Sequence, residues 1–352
     1  VDSDGVGDGE ISFMYLCNLI SNDKLDNSLP GLHFKQFGVK AEPATFYIHA
    51  DLDDLPIPDR TLLPLKNYTS VLGKSDLVTT MITSRGCPHK CTFCKLNFQK
   101  TLARSADSVV REFSRLAALG IREVEIYDDT FTWSKKRLRE ICEGLIAADN
   151  DITFAVRDRV SSASGAPELL DLMYRAGCRR IHFGIESGVQ PGLDRMRKRI
   201  SLEQASQAVL HAKSAGLTVL TYFMFGNLDE TLDDMRRTVD FAIALDADYA
   251  QFSITIPYAG TEMYLEALSD GTIAQDYWLA YAINPSENFV PPQIIETHAG
   301  LQQMMAIRDK AIRRFYFRPK FLYQQLKAVG SLGEFVRKAR MGGQLAFSVY
   351  SK

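Results

Sequence analysis

Leu77-Val-Thr-Thr-Met-Ile-Thr-Ser84-Arg-Gly-Cys87-Pro-His-Lys-Cys91-Thr-Phe-Cys94 joins an apolar run to a loop dense in cysteine. The run 78–83 reads as a strand. Downstream, Val109, Val110, Phe113 and Leu116 fall on one helical face, and Gly120 stops that helix. The pattern then repeats: strand 124–127, helix 135–147, strand 152–156, helix 168–176 closed by Gly177, strand 180–185. Ser201 and Gln204 form a capping box for the next helix, which Gly216 ends. Strand 218–225, helix 232–245 and strand 249–256 follow. Strand alternating with helix through six strands predicts a parallel sheet with right-handed crossovers. Both an open doubly wound sheet and a partial (β/α) barrel fit that periodicity.

Composition narrows the class. The 352 residues are 46% hydrophobic, with 41 Lys plus Arg against 43 Asp plus Glu and a net charge of -2. These proportions exclude a disordered, collagenous or disulfide-framework protein. The longest apolar candidate, 217–226, is half the ~20 residues that a spanning helix needs. The start of the sequence is acidic and polar, unlike a secretory or transit peptide, so a cytoplasmic location is the expectation.

Three of the six cysteines lie within eight residues, spaced C-x3-C-x2-C as Cys87, Cys91 and Cys94; Cys17, Cys142 and Cys178 are scattered and read as small buried hydrophobes. Three thiolates on one short loop can each hold one iron of a cubane cluster, leaving the fourth iron open to a small chelating molecule. The alternative is zinc, with His89 as fourth ligand in a cramped loop.

This spacing, placed after the first strand of a β/α core, resembles the radical S-adenosylmethionine (radical SAM) superfamily, and Phe93 matches an aromatic position common there. Phe183-Gly-Ile-Glu-Ser-Gly188, Tyr127-Asp-Asp-Thr-Phe131 and Ile256-Pro-Tyr-Ala-Gly-Thr261 are similar to further segments of that family. The fifth strand ends in Gly226-Asn-Leu-Asp-Glu-Thr231, which departs from the family's Gly-x-Pro-Gly-Glu-Thr within Asn227-Leu-Asp229. The resemblance implies an α/β fold with a partial (β/α)6 TIM-like barrel core. It implies a 4Fe-4S cluster on Cys87, Cys91 and Cys94, whose open iron binds S-adenosylmethionine. Reductive cleavage then gives a 5'-deoxyadenosyl radical that abstracts substrate hydrogen. Phe93, Asp129, Glu186, Ser187, Lys198 and Ile256 become the expected cofactor-binding residues. Taken alone, Ser187 and the acidic pair also read as helix caps, and Lys198 as a surface lysine. Asp128 and Asp129 should point to opposite sides of their strand, with Asp129 toward the cavity.

The same segments, with Arg313-Arg-Phe-Tyr-Phe-Arg-Pro319, resemble the cobalamin-dependent branch, which holds methyltransferases acting on unreactive carbons and the anaerobic Mg-protoporphyrin ester cyclase type. That assigns 1–70 to the tail of a cobalamin-binding-type domain plus linker, 71–270 to the radical core and 271–352 to a helical C-terminal region. The corrin signature Asp-x-His-x-x-Gly is absent, because no histidine has Asp two residues before it. Cobalamin-dependent methylation is the leading reading. Radical cyclisation or oxidation is the alternative, and an iron-sulfur electron-transfer module is the non-enzyme one. The implied partners are a small-molecule substrate, lipid-like or tetrapyrrole, and a reductase, flavodoxin or ferredoxin donor. The acidic balance gives no support for nucleic acid.

The flanks differ from the core. Residues 1–65 are acidic, with the linker-like Asp51-Leu-Asp-Asp-Leu-Pro-Ile-Pro-Asp59. Residues 310–340 hold nine basic residues and one acid, Glu334, interleaved with Phe315, Tyr316, Phe317, Phe321, Leu322 and Tyr323. They read as a cap whose aromatics pack while the basic heads stay solvated. The functional alternative is peripheral contact with an anionic membrane or lipid-like substrate.

Overall fold

A computed structural model of the chain describes residues 3–5, 8–22, 32–34, 48–68, 70, 72–73, 75, 77–95, 100–161, 164–292, 299–327, 340 and 342–343. The elements before the core are β1 (Ser3–Gly5), α1 (Gly9–Ser21) and β2 (Leu32–Phe34), with β1 antiparallel to β2. Then come β3 (Val78–Met81), β4 (Ser84–Arg85), β5 (Leu102–Ala103), α2 (Ala106–Ala118), β6 (Glu123–Ile126), α3 (Lys135–Ala148) and β7 (Thr153–Arg159). They are followed by α4 (Pro167–Arg175), β8 (Cys178–Glu186), α5 (Gln190–Arg195), α6 (Leu202–Ser214), β9 (Thr218–Phe225), α7 (Leu232–Ala244) and β10 (Tyr249–Ile254). The last four are α8 (Glu262–Ser269), α9 (Tyr277–Ile283), α10 (Leu301–Tyr316) and α11 (Pro319–Lys327).

The main sheet has the order β10-β9-β8-β7-β6-β3, and all five neighbour pairs are parallel. A doubly wound sheet reverses its strand order at a switch point. Here the order follows the chain without reversal, which is the arrangement of a partial barrel. Val124, Ile126, Phe154, Val156, Ile181, Phe183, Val219 and Phe223 form the helix-covered face and are buried. The alternate residues form the concave face.

Local chemistry sets the helix ends. Ser201 Oγ accepts from Gln204 N at 3.0 Å, and Gln204 Oε1 accepts from Ser201 N at 2.9 Å, so both halves of the capping box form. Gly177 closes α4 at φ +102°, where a Cβ would lie 2.7 Å from the Ile152 carbonyl oxygen, so only glycine fits. The expected first strand, 78–83, stops at Met81. Thr83 and Ser84 turn out of the sheet to bond Asp128, and Ser84–Arg85 pair with Leu102–Ala103 instead.

The acidic N-terminal stretch is more than linker, since it contains α1. Phe13, Met14, Tyr15 and Ile20 are all exposed there. Three are consecutive, so the apolar residues spread round the helix and give no periodic stripe to read. The segment before β3 is tied down: Arg60 is buried and donates to Pro58 O and Thr80 O, both at 2.9 Å.

At the other end Phe315 is fully buried and Phe321 nearly so, against Phe252 and Tyr249 of β10, while Tyr316 Oη donates to Ala250 O at 2.7 Å. Arg314 pairs with Asp240, and Lys320 with Asp246, each at 2.7 Å. Leu322 and Tyr323 are exposed. Residues 328–339 of the basic segment lie outside the described residues. Among the described residues, no helix is long and apolar enough to cross a membrane.

Candidate active site

The cysteine loop leaves the C-terminal end of β3, and the two acids after β6 hold it from opposite sides. Asp128 is buried and accepts from Thr83 N at 2.6 Å and Ser84 Oγ at 2.7 Å. Burial pushes its carboxyl up, against the pull of those donors. Asp129 points the other way, exposed, and accepts from Gly86 N at 2.9 Å. That bond holds the residue before Cys87. Cys87 Sγ lies 3.1 Å from Thr130 Oγ1. Backbone bonds tie the loop to the segments that follow β8 and β10, from Thr92 N to Met196 O at 3.2 Å and from Met263 N to Thr92 O at 2.9 Å.

The donor set fits an iron-sulfur cluster. Cys87 and Cys91 are half-buried and Cys94 is exposed. Desolvation, then the neighbouring Cys91, Asp129 and Cys87, push the Cys94 thiol up to about 11. Among the described residues no three His, Cys, Asp or Glu side chains gather as ligands of one metal ion, which zinc would require. Thiols set apart on one loop suit a cluster, where each iron takes one of them. His89, the fourth ligand of the zinc reading, is pushed down to about 4 by burial and by Arg159, Lys198 and Arg199.

Beside the loop stands the end of β8. Glu186 takes a left-handed backbone, φ +78°, where the register with β9 shifts. Its carboxylate folds back over Gly184, where a Cβ would lie 2.6 Å from Glu186 Oε1. Lys198, only 4% exposed, reaches Glu186 Oε1 with Nζ at 3.3 Å and lies 5.9 Å from the Phe93 ring centroid. It is a buried partner, not a surface lysine. Arg159, also buried, donates to Lys198 O and places Nη1 3.9 Å from Cys91 Sγ.

Phe93, Glu186 and Lys198 are thus brought together with the cysteine loop, forming a wall with both charges, suited to an amino acid's ammonium and carboxylate. Ser187 follows Glu186 directly, and its buried hydroxyl accepts from Val189 N at 3.2 Å, which shapes the turn into α5. Ile256 is half-buried two residues beyond β10. Sequence reading missed Arg159, Thr130 and Gly184.

It also missed a polar network on the concave face. Arg180 of β8 donates from Nη2 to Glu125 Oε1 at 2.8 Å, from Nη1 to Leu72 O at 2.8 Å and from Nε to His182 Nε2 at 3.0 Å. Arg157 of β7 contacts Glu125 Oε2 at 3.3 Å and stacks on Tyr127, 3.4 Å from the ring centroid. His182 Nδ1 lies 2.7 Å from Tyr222 Oη. A signal was available: strands of buried parallel sheets read as continuous apolar runs, yet Glu123, Glu125, Arg157, Arg159, Arg180 and His182 recur at every second position.

The rim after β9 explains the departure in Gly226-Asn-Leu-Asp-Glu-Thr231. Asp229 adopts φ +59°, a conformation that Asp tolerates better than most residues. Glu230 accepts from Gly226 N at 2.7 Å and Asn227 N at 3.0 Å, while its buried Oε1 has no hydrogen-bond partner among the described residues. Burial pushes Glu230 up from 4.5 to about 7. The folded protein therefore keeps this proton up to about pH 7, whereas the unfolded chain releases it near 4.5. The stabilisation is full below the lower value and lost as pH rises through the upper one. Urea unfolding at about pH 5 and about pH 8 should show wild-type stability falling by up to roughly 3 kcal/mol from this group, at ~1.4 kcal/mol per unit. Glu230→Gln should remove that part of the fall; an equal fall in both proteins would contradict it.

The comparisons agree with this architecture. The family model of the radical SAM superfamily matches residues 81–242. The chain is 34% identical over 327 residues to an uncharacterized methyltransferase of Pyrococcus horikoshii, covering 91% of this chain and 68% of that protein. It is 27% identical over 311 residues to the cytidylyl-2-hydroxyethylphosphonate methyltransferase of Streptomyces wedmorensis, covering 78% of this chain and 58% of that one. The solved structure of the radical S-adenosylmethionine methyltransferase TsrM from Kitasatospora setae, with cobalamin and a 4Fe-4S cluster bound, shares the fold. Its TM-score is 0.62 at 20% identity, over 77% of this chain and 55% of that one. The chain therefore spans little more than half the length of the last two. It belongs to the radical SAM superfamily, whose enzymes use a 4Fe-4S cluster and S-adenosylmethionine.

Proposed function

We propose that this chain carries the catalytic core of a radical SAM methyltransferase that methylates an unreactive carbon of a small molecule with cobalamin as methyl carrier. The observation that carries the reading is the 34% identity over 91% of this chain to a protein named as a methyltransferase. The cobalamin bound in the TsrM structure supports the choice of carrier. Cys87, Cys91 and Cys94 would hold the cluster. When bound, the cluster and S-adenosylmethionine supply a radical able to take hydrogen from a carbon that ordinary bases leave untouched. The chain's own residues bind and orient. Glu186 offers its carboxylate to an ammonium or to ribose hydroxyls, Lys198 and Arg159 offer charge to a carboxylate, and Phe93 shields the loop from water. The substrate is lipid-like or a tetrapyrrole and enters over the concave face. Electrons come from a flavodoxin, ferredoxin or reductase.

The test is anaerobic reconstitution with iron, sulfide and cobalamin, followed by reductant and S-adenosylmethionine. Both 5'-deoxyadenosine and S-adenosylhomocysteine are expected. The deoxyadenosine alone would replace methylation by cyclisation or oxidation, and neither product would overturn the reading.

A further inference from the structure

The network on the concave face has a direction that chemistry dictates. Arg180 Nε donates to His182 Nε2 at 3.0 Å. A guanidinium has donors and no acceptor, so Nε2 must present its lone pair. Burial, with the charges of Arg180 and Arg157, holds the His182 pKa down to about 3, and the ring is neutral. Its one proton therefore sits on Nδ1 and is donated to Tyr222 Oη at 2.7 Å. The phenol oxygen accepts, so its own O–H must find a partner elsewhere. Arg157 beside it can only donate. Glu125 is already engaged, with Oε1 taking Ser70 and Arg180 and Oε2 taking Arg157. No acceptor for the Tyr222 proton appears among the hydrogen bonds of the described residues. Arg157 is also only partly engaged: its side chain is 27% exposed, against 7% for Arg180.

We infer that the Tyr222 hydroxyl and the Arg157 guanidinium form a donor pair that grips a carboxylate or carbonyl oxygen of the substrate on the concave face. This rests on reading that face as the substrate site. The pair rejects an ammonium or other purely donating group at that point, because donor would meet donor. Tyr127, stacked under Arg157 and 47% exposed, adds a flat apolar surface beside the grip. Tyr222 is thereby a specificity-determining residue and His182 a positioning residue that sets which way the phenol proton points.

Two measurements on the reconstituted protein test this. Side-chain 15N shifts, assigned with His182→Gln, should show His182 protonated on Nδ1 and bare on Nε2; the opposite tautomer overturns the inference. Equilibrium dialysis with benzoate, benzamide and benzylamine reads the grip itself. Benzoate and benzamide should bind the wild type, benzylamine should not, and Tyr222→Phe should weaken the first two about tenfold, as loss of one hydrogen bond does. Equal affinity in Tyr222→Phe, tight benzylamine binding, or no binding of any probe to the wild type overturns it. Formation of 5'-deoxyadenosine is followed in the same preparations. Its absence from the wild type counts against the proposed function alone, since probe binding does not depend on it.

Discussion

Replacing Cys87, Cys91 or Cys94 by alanine, one at a time, will give a folded, colourless protein that neither retains its iron nor cleaves S-adenosylmethionine. In the proposed site the three thiols of one loop would each hold one iron, so removing one would expose a second iron and the cluster would be lost. The remaining cysteines give the contrast. Cys142 and Cys178 are fully buried in the core and burial pushes both thiols up, which leaves them inert. Cys17 is exposed on α1, away from the loop in sequence. Alanine at those three should change stability but not iron content. Iron and sulfide analysis, visible absorption and far-ultraviolet circular dichroism after anaerobic reconstitution read all of this. A cluster-loop variant with full iron and full cleavage would refute the assignment.

Glu186→Gln should leave the cluster assembled, weaken S-adenosylmethionine binding tenfold to hundredfold, and lower the melting temperature. The affinity loss follows from a hydrogen bond to a charged group, worth roughly 1.5 to 3 kcal/mol. The stability loss has another origin. Lys198 is buried, with Glu186 as its counter-charge at 3.3 Å, and breaking a buried pair from one side costs about 3 to 5 kcal/mol. Adding Lys198→Met to Glu186→Gln removes the stranded cation, so the double variant should regain melting temperature while binding stays weak. Isothermal titration and thermal unfolding separate the two effects. Unchanged affinity in Glu186→Gln would end the proposed role.

How much of this was legible in the sequence depended on the range of the interaction. The capping box at Ser201 and Gln204, the glycine stop at Gly177 and the cysteine spacing are local, and each can be read within a few residues. The alternation of strand and helix predicted the parallel sheet, but only the strand order distinguished a partial barrel from a doubly wound sheet. That order is a matter of which distant strands pair. Lys198 shows the same limit: nothing beside it in the chain reveals that Glu186 and Phe93 will bury it. Asp128 and Asp129 do part to different partners as strand alternation predicts, yet Gly86, which donates to Asp129, lies 43 residues earlier. The network of Arg157, Arg180, His182 and Tyr222 crosses three strands, so only its period-two charge pattern was visible. Nothing local marked α1, whose apolar residues follow no stripe.

Because spatial order in the main sheet copies chain order, every strand after the first finds its neighbour already made, and the sheet can grow in one direction as the chain lengthens. Sequential growth closes only short loops, which keeps the entropic barrier at each step small. The cysteine loop belongs to the first unit laid down, yet Met196 and Met263, which fasten it, lie about a hundred residues or more farther on. That loop therefore belongs to the first unit of the main sheet and is among the last parts to be clasped. A cluster held there as proposed would favour the clasped state, so iron loading should raise the stability of the folded barrel.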